Sequence, residues 1–330
     1  MNDRFKVILT RAIPEAGPNL LREQCTIWIN PEDRPLSREE LLERVRDADG
    51  VLGQLTDRID DAFFAAAPRL RGYANYAVGY DNVDVAAATL HGVPVSNTPD
   101  VLTIATAEMA WALLFALARN VVAADAGIRA GIWPGWNPLN AQGIELTGKT
   151  LGIFGPGRIG TAMALMSRGF SMPVVYCGGR RPNEILEREL GAKRLPFAAF
   201  LAQSDIISIH APLTPETRHV FNAAALAAMK PGAVLINTAR GPLVDEAALV
   251  TALRSGQLRG AGLDVYEFEP RLAAGLTELP NVVLTPHTGS ATWTAREGMA
   301  ILAAKNLLAM LTGGVPPTCL NPDVLPRAGK

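Results

Sequence analysis

The sequence predicts an α/β protein of two domains, and three observations carry that expectation. Short β-rich runs alternate with helical stretches along most of the chain. At 330 residues the chain is long for one core and comfortable for two domains of roughly 100–200 residues each. A glycine-rich turn, Gly155-Pro156-Gly157-Arg158-Ile159-Gly160, also stands between one such strand and one such helix.

In the first third, KVILT (6–10), TIWI (26–29), GVLGQL (50–55) and LRGYANYA (70–77) read as strands. Between them LSREELLERVRDA (36–48) has helical spacing, with Ser37 as N-cap and Glu40 completing a capping box. TIATAEMAWALLFALARN (103–120) is apolar on nearly every side, so a helix buried all round is expected, with a domain boundary near residue 100. TLGIFG, PVVYC, DIISIH, AVLINT, GAGLDV and VVLTPH then give six near-continuous apolar strands separated by crossovers. That pattern predicts a Rossmann-type, doubly wound parallel sheet with helices on both faces and a ligand at the strands' C-terminal ends. TWTAREGMAILAAKNLLAML (292–311) reads as a long amphipathic helix stopped by Thr312-Gly313-Gly314 and leading back to the first domain; PRAGK (326–330) reads as a flexible tail.

Composition narrows the function. An apolar share of 48% against 19% charged residues describes a packed protein. With 31 basic and 32 acidic residues the net charge is −1, which provides no field for nucleic acid or an anionic membrane, and neither is expected as a partner. Cys25, Cys177 and Cys319 are scattered and odd in number, which argues against a disulfide framework and for a reducing cytoplasm. The apolar run near the N-terminus is broken by Arg11, too short for a signal-peptide core or a membrane span. No HExxH or similar spacing suggests a metal.

The glycine turn fits GxGxxG in the context that gives it meaning. Gly155, Gly157 and Gly160 permit a tight turn, close approach of a pyrophosphate, and close helix–strand packing, while Arg158 adds charge. At the end of the next strand an acidic residue would select NAD, but the sequence reads Cys177-Gly178-Gly179-Arg180-Arg181. Two adjacent guanidiniums suit a 2′-phosphate, so NADP(H) is the preferred cofactor. The alternative is that both arginines are solvated loop residues and NAD(H) is accepted as well.

Downstream, LINTARG places Arg240, GLDVYEFEP places Asp264 and Glu269, and LTPHTGSAT places His287, all at one edge of the same sheet. Reducing a 2-keto acid needs a carboxylate anchor, a proton donor and a hydride. Arg240 supplies a planar fork, His287 the proton, and Glu269, hydrogen-bonded to His287, favours the imidazolium and fixes the ring. His91, His210 and His219 have no carboxylate on a neighbouring strand end in this reading and are expected to be structural or cofactor-proximal.

GYDNVD (79–84), NTPDVLT (97–103), TAEMAWALL (106–114), GPGRIG (155–160), HAPLTPET (210–217), NTARG (237–241), GLDVYEFEP (262–270) and PHTGSAT (286–292) resemble, in order, the signatures of the D-isomer-specific 2-hydroxyacid dehydrogenases. GIWPGWNP (131–138), GGRRP (178–182) and the C-terminal stretch from Thr294 to Val324 are most similar to the glyoxylate/hydroxypyruvate reductases among them. The resemblance implies a discontinuous, flavodoxin-like substrate domain (1–100 and 288–330), a cofactor domain (101–287), and a homodimer formed through the latter. It implies Arg240, Glu269 and His287 as catalytic residues, with Val78, Gly79, Arg240 and Ser290 at the substrate. At the cofactor it implies Asp264 on the nicotinamide amide, Thr238 and Pro212 at the nicotinamide ribose, and Thr106, Ile159, Gly179, Thr217, Ala239 and Gly289 along its length, beside the glycine turn, Arg180, Arg181, Arg240 and His287. Asn140 stands where some relatives present a tryptophan from the partner subunit. The alternatives are a broader D-2-hydroxyacid dehydrogenase, phosphoglycerate-type included, and a dinucleotide-sensing protein resembling the corepressors that share this fold.

Overall fold

The computed structural model describes residues 4–325, so the tail expected at 326–330 lies outside the described residues. The chain divides into two compact units. One is built from the residues up to Leu102 together with those from Ala291 onward, the other from Thr103–Ser290.

In the first unit β1 (Phe5–Leu9), β2 (Cys25–Ile29), β3 (Gly50–Gly53), β4 (Gly72–Asn75) and β5 (Val95–Ser96) pair in the order β2-β1-β3-β4-β5, every pairing parallel. This is the flavodoxin-like order. Ile8, Val51, Tyr73 and Val95 pack one face against Leu41, Val45, Phe63 and Phe64. The capping box forms, with Ser37 Oγ accepting from Glu40 N and Glu40 Oε2 accepting from Ser37 N, but its helix is short (Arg38–Arg44) and tightens into a 3₁₀ turn. The returning helix Trp293–Leu311 is capped by Thr292. That returning segment is bonded into the sheet: Asn321 Oδ1 accepts from Val95 N at 2.8 Å, Thr318 Oγ1 donates to Asn97 O at 2.7 Å, and Tyr76 OH donates to Arg296 O at 2.7 Å.

The second unit holds β6 (Leu151–Phe154), β7 (Val174–Cys177), β8 (Lys193–Arg194), β9 (Ile206–Ile209), β10 (Ala233–Asn237), β11 (Leu258–Leu263) and β12 (Val282–Leu284), in the order β12-β11-β10-β9-β6-β7-β8, again all parallel. Seven strands stand where the sequence suggested six, because the two-residue β8 is too short to leave a pattern. Alternate residues serve opposite cores. Phe154, Val175, Ile207 and Leu235 join one cluster, while Ile153, Val174, Ile206 and Ile236 join the other. A sheet buried on both faces needs apolar residues at every position, which is why these strands read as continuous apolar runs. Strand order reverses at β6, between β7 and β9, the place where such sheets bind ligands.

The long apolar helix differs from expectation twice. It spans Thr103–Ala118, and Asn120, at φ 53°, breaks it from a second helix, Val121–Arg129, bent by 63°. Nor is it buried all round: Ile104, Glu108 and Ala112, four residues apart, form an exposed stripe. Among the described residues no single helix is long and apolar enough to cross a membrane.

Candidate active site

The site is assembled from the loops that follow the strands of the second unit. After β6, Gly155 turns the chain at φ 88°, and a Cβ there would lie 2.5 Å from Ala211 N. A Cβ on Gly160 would meet Gly155 O at 2.5 Å and Ile153 Cγ2 at 2.9 Å, so this glycine lets helix Arg158–Met166 press against β6. Gly157 faces open space and caps that helix without a side-chain hydrogen bond. The first turn therefore presents N–H groups suited to an anion. Arg158 and Ile159 open the helix, Arg158 exposed.

After β7, Gly178 and Gly179 both sit at positive φ and carry Arg180 and Arg181 outward. These two arginines are exposed and make no hydrogen bond or ion pair among the described residues. Two residues that sequence reading missed hold the turn. Asn183 Nδ2 donates to Pro156 O at 2.9 Å and to Thr161 Oγ1 at 2.8 Å, tying the turn to the glycine loop. Arg194, on β8, donates to Gly179 O at 2.6 Å and adds a third guanidinium.

After β9, Thr217 Oγ1 donates to Pro212 O at 2.8 Å, folding that loop on itself. After β10, Asn237, 1% exposed, shapes the NTARG turn by accepting from Ala239 N and donating to Arg240 O. Arg240 is half-buried, with Nη1 2.9 Å from Ala239 O. Thr238 Oγ1 is buried with no hydrogen-bond partner among the described residues.

Asp264, at the end of β11, is 1% exposed, and its carboxylate is fully employed. Oδ1 accepts from Thr285 Oγ1 at 2.6 Å and from Thr288 N at 2.7 Å, and Oδ2 accepts from Gly289 N at 2.6 Å. It thus clamps the turn holding His287, whose backbone lies at φ 54° and whose N–H donates to Asp264 O at 2.9 Å. A non-glycine residue in the left-handed region persists only where its surroundings over-determine it, and Asp264 supplies that constraint. The sequence suggested only a cofactor role for Asp264; Thr106 and Gly289 adjoin it, a Cβ on Gly289 falling 3.0 Å from Oδ2.

His287 Nδ1 lies 2.9 Å from Glu269 Oε2, so the ring donates there and leaves Nε2 for other chemistry. Glu269 Oε1 accepts from Tyr266 N at 3.0 Å. Burial pushes the Glu269 carboxyl up, but the hydrogen bond and charge of His287, the Tyr266 N–H and the charge of Arg240 outweigh it and leave the group below its ordinary value. In the first unit, the carbonyls of Val78 and Gly79 accept from Asn97 and Asn75, while their N–H groups have no acceptor among the described residues.

The reading of the other histidines needs correction at His219, whose carboxylate partner follows a strand, while that of His91 opens the helix Asp61–Ala66. His91 Nε2 meets Asp61 Oδ1 at 2.8 Å, and His219 Nε2 meets Glu267 Oε1 at 2.6 Å, so both have carboxylate partners. His210 instead pairs with Ser208 Oγ, and burial holds it down to about 3. Among the described residues no group of three or more His, Cys, Asp or Glu is arranged to hold a metal.

Doubly wound parallel strands, a glycine cradle at the switch point and polar strand ends beside it define an α/β dehydrogenase that binds a nicotinamide dinucleotide. The chain belongs to the D-isomer specific 2-hydroxyacid dehydrogenase family, whose NAD binding domain matches residues 111–289. A glyoxylate reductase of Thermococcus onnurineus is 51% identical to it over 324 residues, 97% of either chain. A Thermus thermophilus crystal structure superposes with a TM-score of 0.90 at 45% identity, covering 96% of this chain and 99% of that one. The NADPH-dependent glyoxylate/hydroxypyruvate reductase of Sinorhizobium meliloti, solved with NADP and malonate, gives 0.86 at 34% identity over 99% and 100% of the two chains.

Proposed function

We propose that this chain reduces a small 2-keto acid, glyoxylate or hydroxypyruvate, to the 2-hydroxy acid, with NADPH preferred over NADH. The observation that carries the reading is the His287–Glu269 contact at 2.9 Å on strand ends adjoining the Arg240 turn. The named activities of the Thermococcus and Sinorhizobium relatives support it.

When bound, the nicotinamide supplies a hydride to the carbonyl carbon. Arg240 holds the substrate carboxylate in its fork and polarises the carbonyl. The resemblance adds Val78, Gly79 and Ser290 as substrate residues, and the N–H groups of the first two have no acceptor among the described residues. As negative charge develops on the carbonyl oxygen, His287 gives it the Nε2 proton; Glu269 balances the imidazolium before transfer and fixes the ring throughout. Hydride and proton together make the C–H and O–H of the product alcohol.

The residues fit a dinucleotide at several points: the uncapped helix Arg158–Met166 for the pyrophosphate, the orphaned Thr238 hydroxyl for the nicotinamide ribose, and Asp264, Thr106, Ala239 and Gly289 near the nicotinamide. Preference for NADPH is supported by Arg180 and Arg181, which make no hydrogen bond or ion pair among the described residues, and by the absence of a carboxylate in Cys177-Gly178-Gly179.

The same reading makes the protein a homodimer. The helix Val121–Arg129 buries none of its residues, its Val121 and Val122 are exposed, and so are Ile132, Trp133 and Trp136 just after it, apolar side chains that a partner subunit would cover. A cytoplasmic location accords with three free cysteines. Purified protein offered a panel of 2-keto acids with each cofactor should turn over glyoxylate or hydroxypyruvate, faster with NADPH; no turnover with either cofactor would sink the enzyme reading.

A further inference from the structure

We propose that His219 is a positioning residue for the catalytic pair, strapping the loop that carries Arg240 to the loop that carries Glu269. The inference rests on the roles proposed above for those residues.

β9, β10 and β11 are neighbours in the sheet, and the loop after each takes part. His219, in the loop after β9, has its backbone in the left-handed region at φ 51°. Its N–H donates to Pro242 O at 2.8 Å, two residues beyond Arg240. Its ring reaches past that loop to the one after β11, where Nε2 lies 2.6 Å from Glu267 Oε1, two residues before Glu269. One residue thus grips both catalytic loops, one by backbone and one by side chain.

The far end of the strap is itself fixed. The Glu267 side chain is 8% exposed, and its backbone N–H donates to Oε1 of the buried Glu246 at 2.8 Å. A histidine–carboxylate pair on an open surface holds little, but a carboxylate this enclosed depends on the hydrogen-bond donor it faces. Arg218 stands farther off, at 3.8 Å. The two strapped loops also touch without slack. A Cβ on Gly241 would lie 1.9 Å from the Tyr266 carbonyl carbon and 2.4 Å from Glu267 N. Displacement of Glu267 is therefore transmitted to the Arg240 turn on one side and to Glu269 on the other.

The test compares His219→Ala, His219→Gln and Glu267→Gln in the full-length enzyme, with 2-keto acid and NADPH. His219→Ala should lower kcat by about tenfold or more, as a small misplacement of reacting groups does, while the NADPH dissociation constant stays unchanged. His219→Gln, which keeps a donor near Glu267, should recover most of the loss. The losses of His219→Ala and Glu267→Gln should not multiply in the double variant, because both cut the same strap. An unchanged kcat in His219→Ala, or losses that multiply, would overturn the proposal; if His219→Ala does not fold, Glu267→Gln and His219→Gln carry the same comparison. If the wild-type protein reduces no 2-keto acid, the proposed function fails, and the strap is read by amide hydrogen exchange. Faster exchange across 264–271 and 285–289 in His219→Ala but not in His219→Gln supports it, and unchanged exchange refutes it.

Discussion

At one end of the seven-stranded sheet's C-terminal edge, around β6 and β7, the loops hold polar groups in reserve: helix Arg158–Met166 lacks a side-chain cap, and Arg180 and Arg181 make no bond among the described residues. At the other end, after β11 and β12, the carboxylates are already engaged: Asp264 accepts from the Thr285–Gly289 turn, Glu269 faces His287, and Glu267 faces His219. The first end is completed by its ligand, so its energy appears as binding. The second is assembled before any substrate arrives, so its dipoles need no reorganisation when charge develops. Losses at the two ends should accordingly appear in different kinetic constants.

The largest effect belongs to the assembled end. His287→Ala should lower kcat by about 10³-fold, the loss of a positioned general acid, and leave cofactor affinity nearly intact in steady-state and binding measurements. An unchanged kcat would break the comparison at its centre. Glu269→Gln should follow, with kcat down by about 10²-fold. Its pH signature has a definite sign. Because the folded protein holds the Glu269 carboxyl below its ordinary value, the pair's contribution is complete above about pH 4.3 and is lost only as pH falls through the lowered value. The difference in thermal midpoint between wild type and Glu269→Gln should therefore shrink as pH falls below about 4.3.

At the receptive end, Arg180→Ala and Arg181→Ala should each raise the NADPH KM by about tenfold, one charge-assisted hydrogen bond apiece, and scarcely alter that for NADH. Equal losses with both cofactors would remove the phosphate-binding role. The smallest effect is on stability. Burial raises the Glu246 carboxyl, the charges of Glu267 and Glu269 add to it, and the N–H groups of Glu267 and Ala273 offset only part. The folded state thus favours the proton, and stability from this group is present below the ordinary glutamate value and lost as pH rises through the raised one. Glu246→Gln should gain about 2 °C in thermal midpoint over wild type at pH 8 and nothing at pH 4. A gain independent of pH would show that the carboxylate's charge is not the cause.

Much of this was legible in the sequence where one residue sits in a patterned local context. Gly155, Gly157 and Gly160 are recognisable because a strand precedes and a helix follows, and Arg240, Asp264 and His287 each end an apolar run. What stayed hidden was set by neighbours distant in sequence. Glu267 is 48 residues from His219, and only the adjacency of β9, β10 and β11 brings their loops together. Arg194 looked like any exposed charge until β8, a two-residue strand with no periodicity to detect, set it beside Gly179. The exposed stripe at Ile104, Glu108 and Ala112 escaped notice because two of its three residues are apolar, so composition alone predicted burial. The resemblance put Asp264 on the nicotinamide amide, but the hydrogen bonds that the turn at 285–289 gives to both of its oxygens left no mark in the sequence.

The interrupted first unit also sets an order of events during synthesis. Its β5 edge is bonded by Asn321 and its Asn97 carbonyl by Thr318, residues translated after the whole of Thr103–Ser290. A chain growing from its N-terminus ordinarily folds its leading domain first. Here the leading hundred residues must wait for the last few dozen, while the central unit has all its strands once residue 290 has emerged. The dinucleotide-binding half is thus the first that a nascent chain can finish, and the cofactor can serve as its earliest stabilising partner.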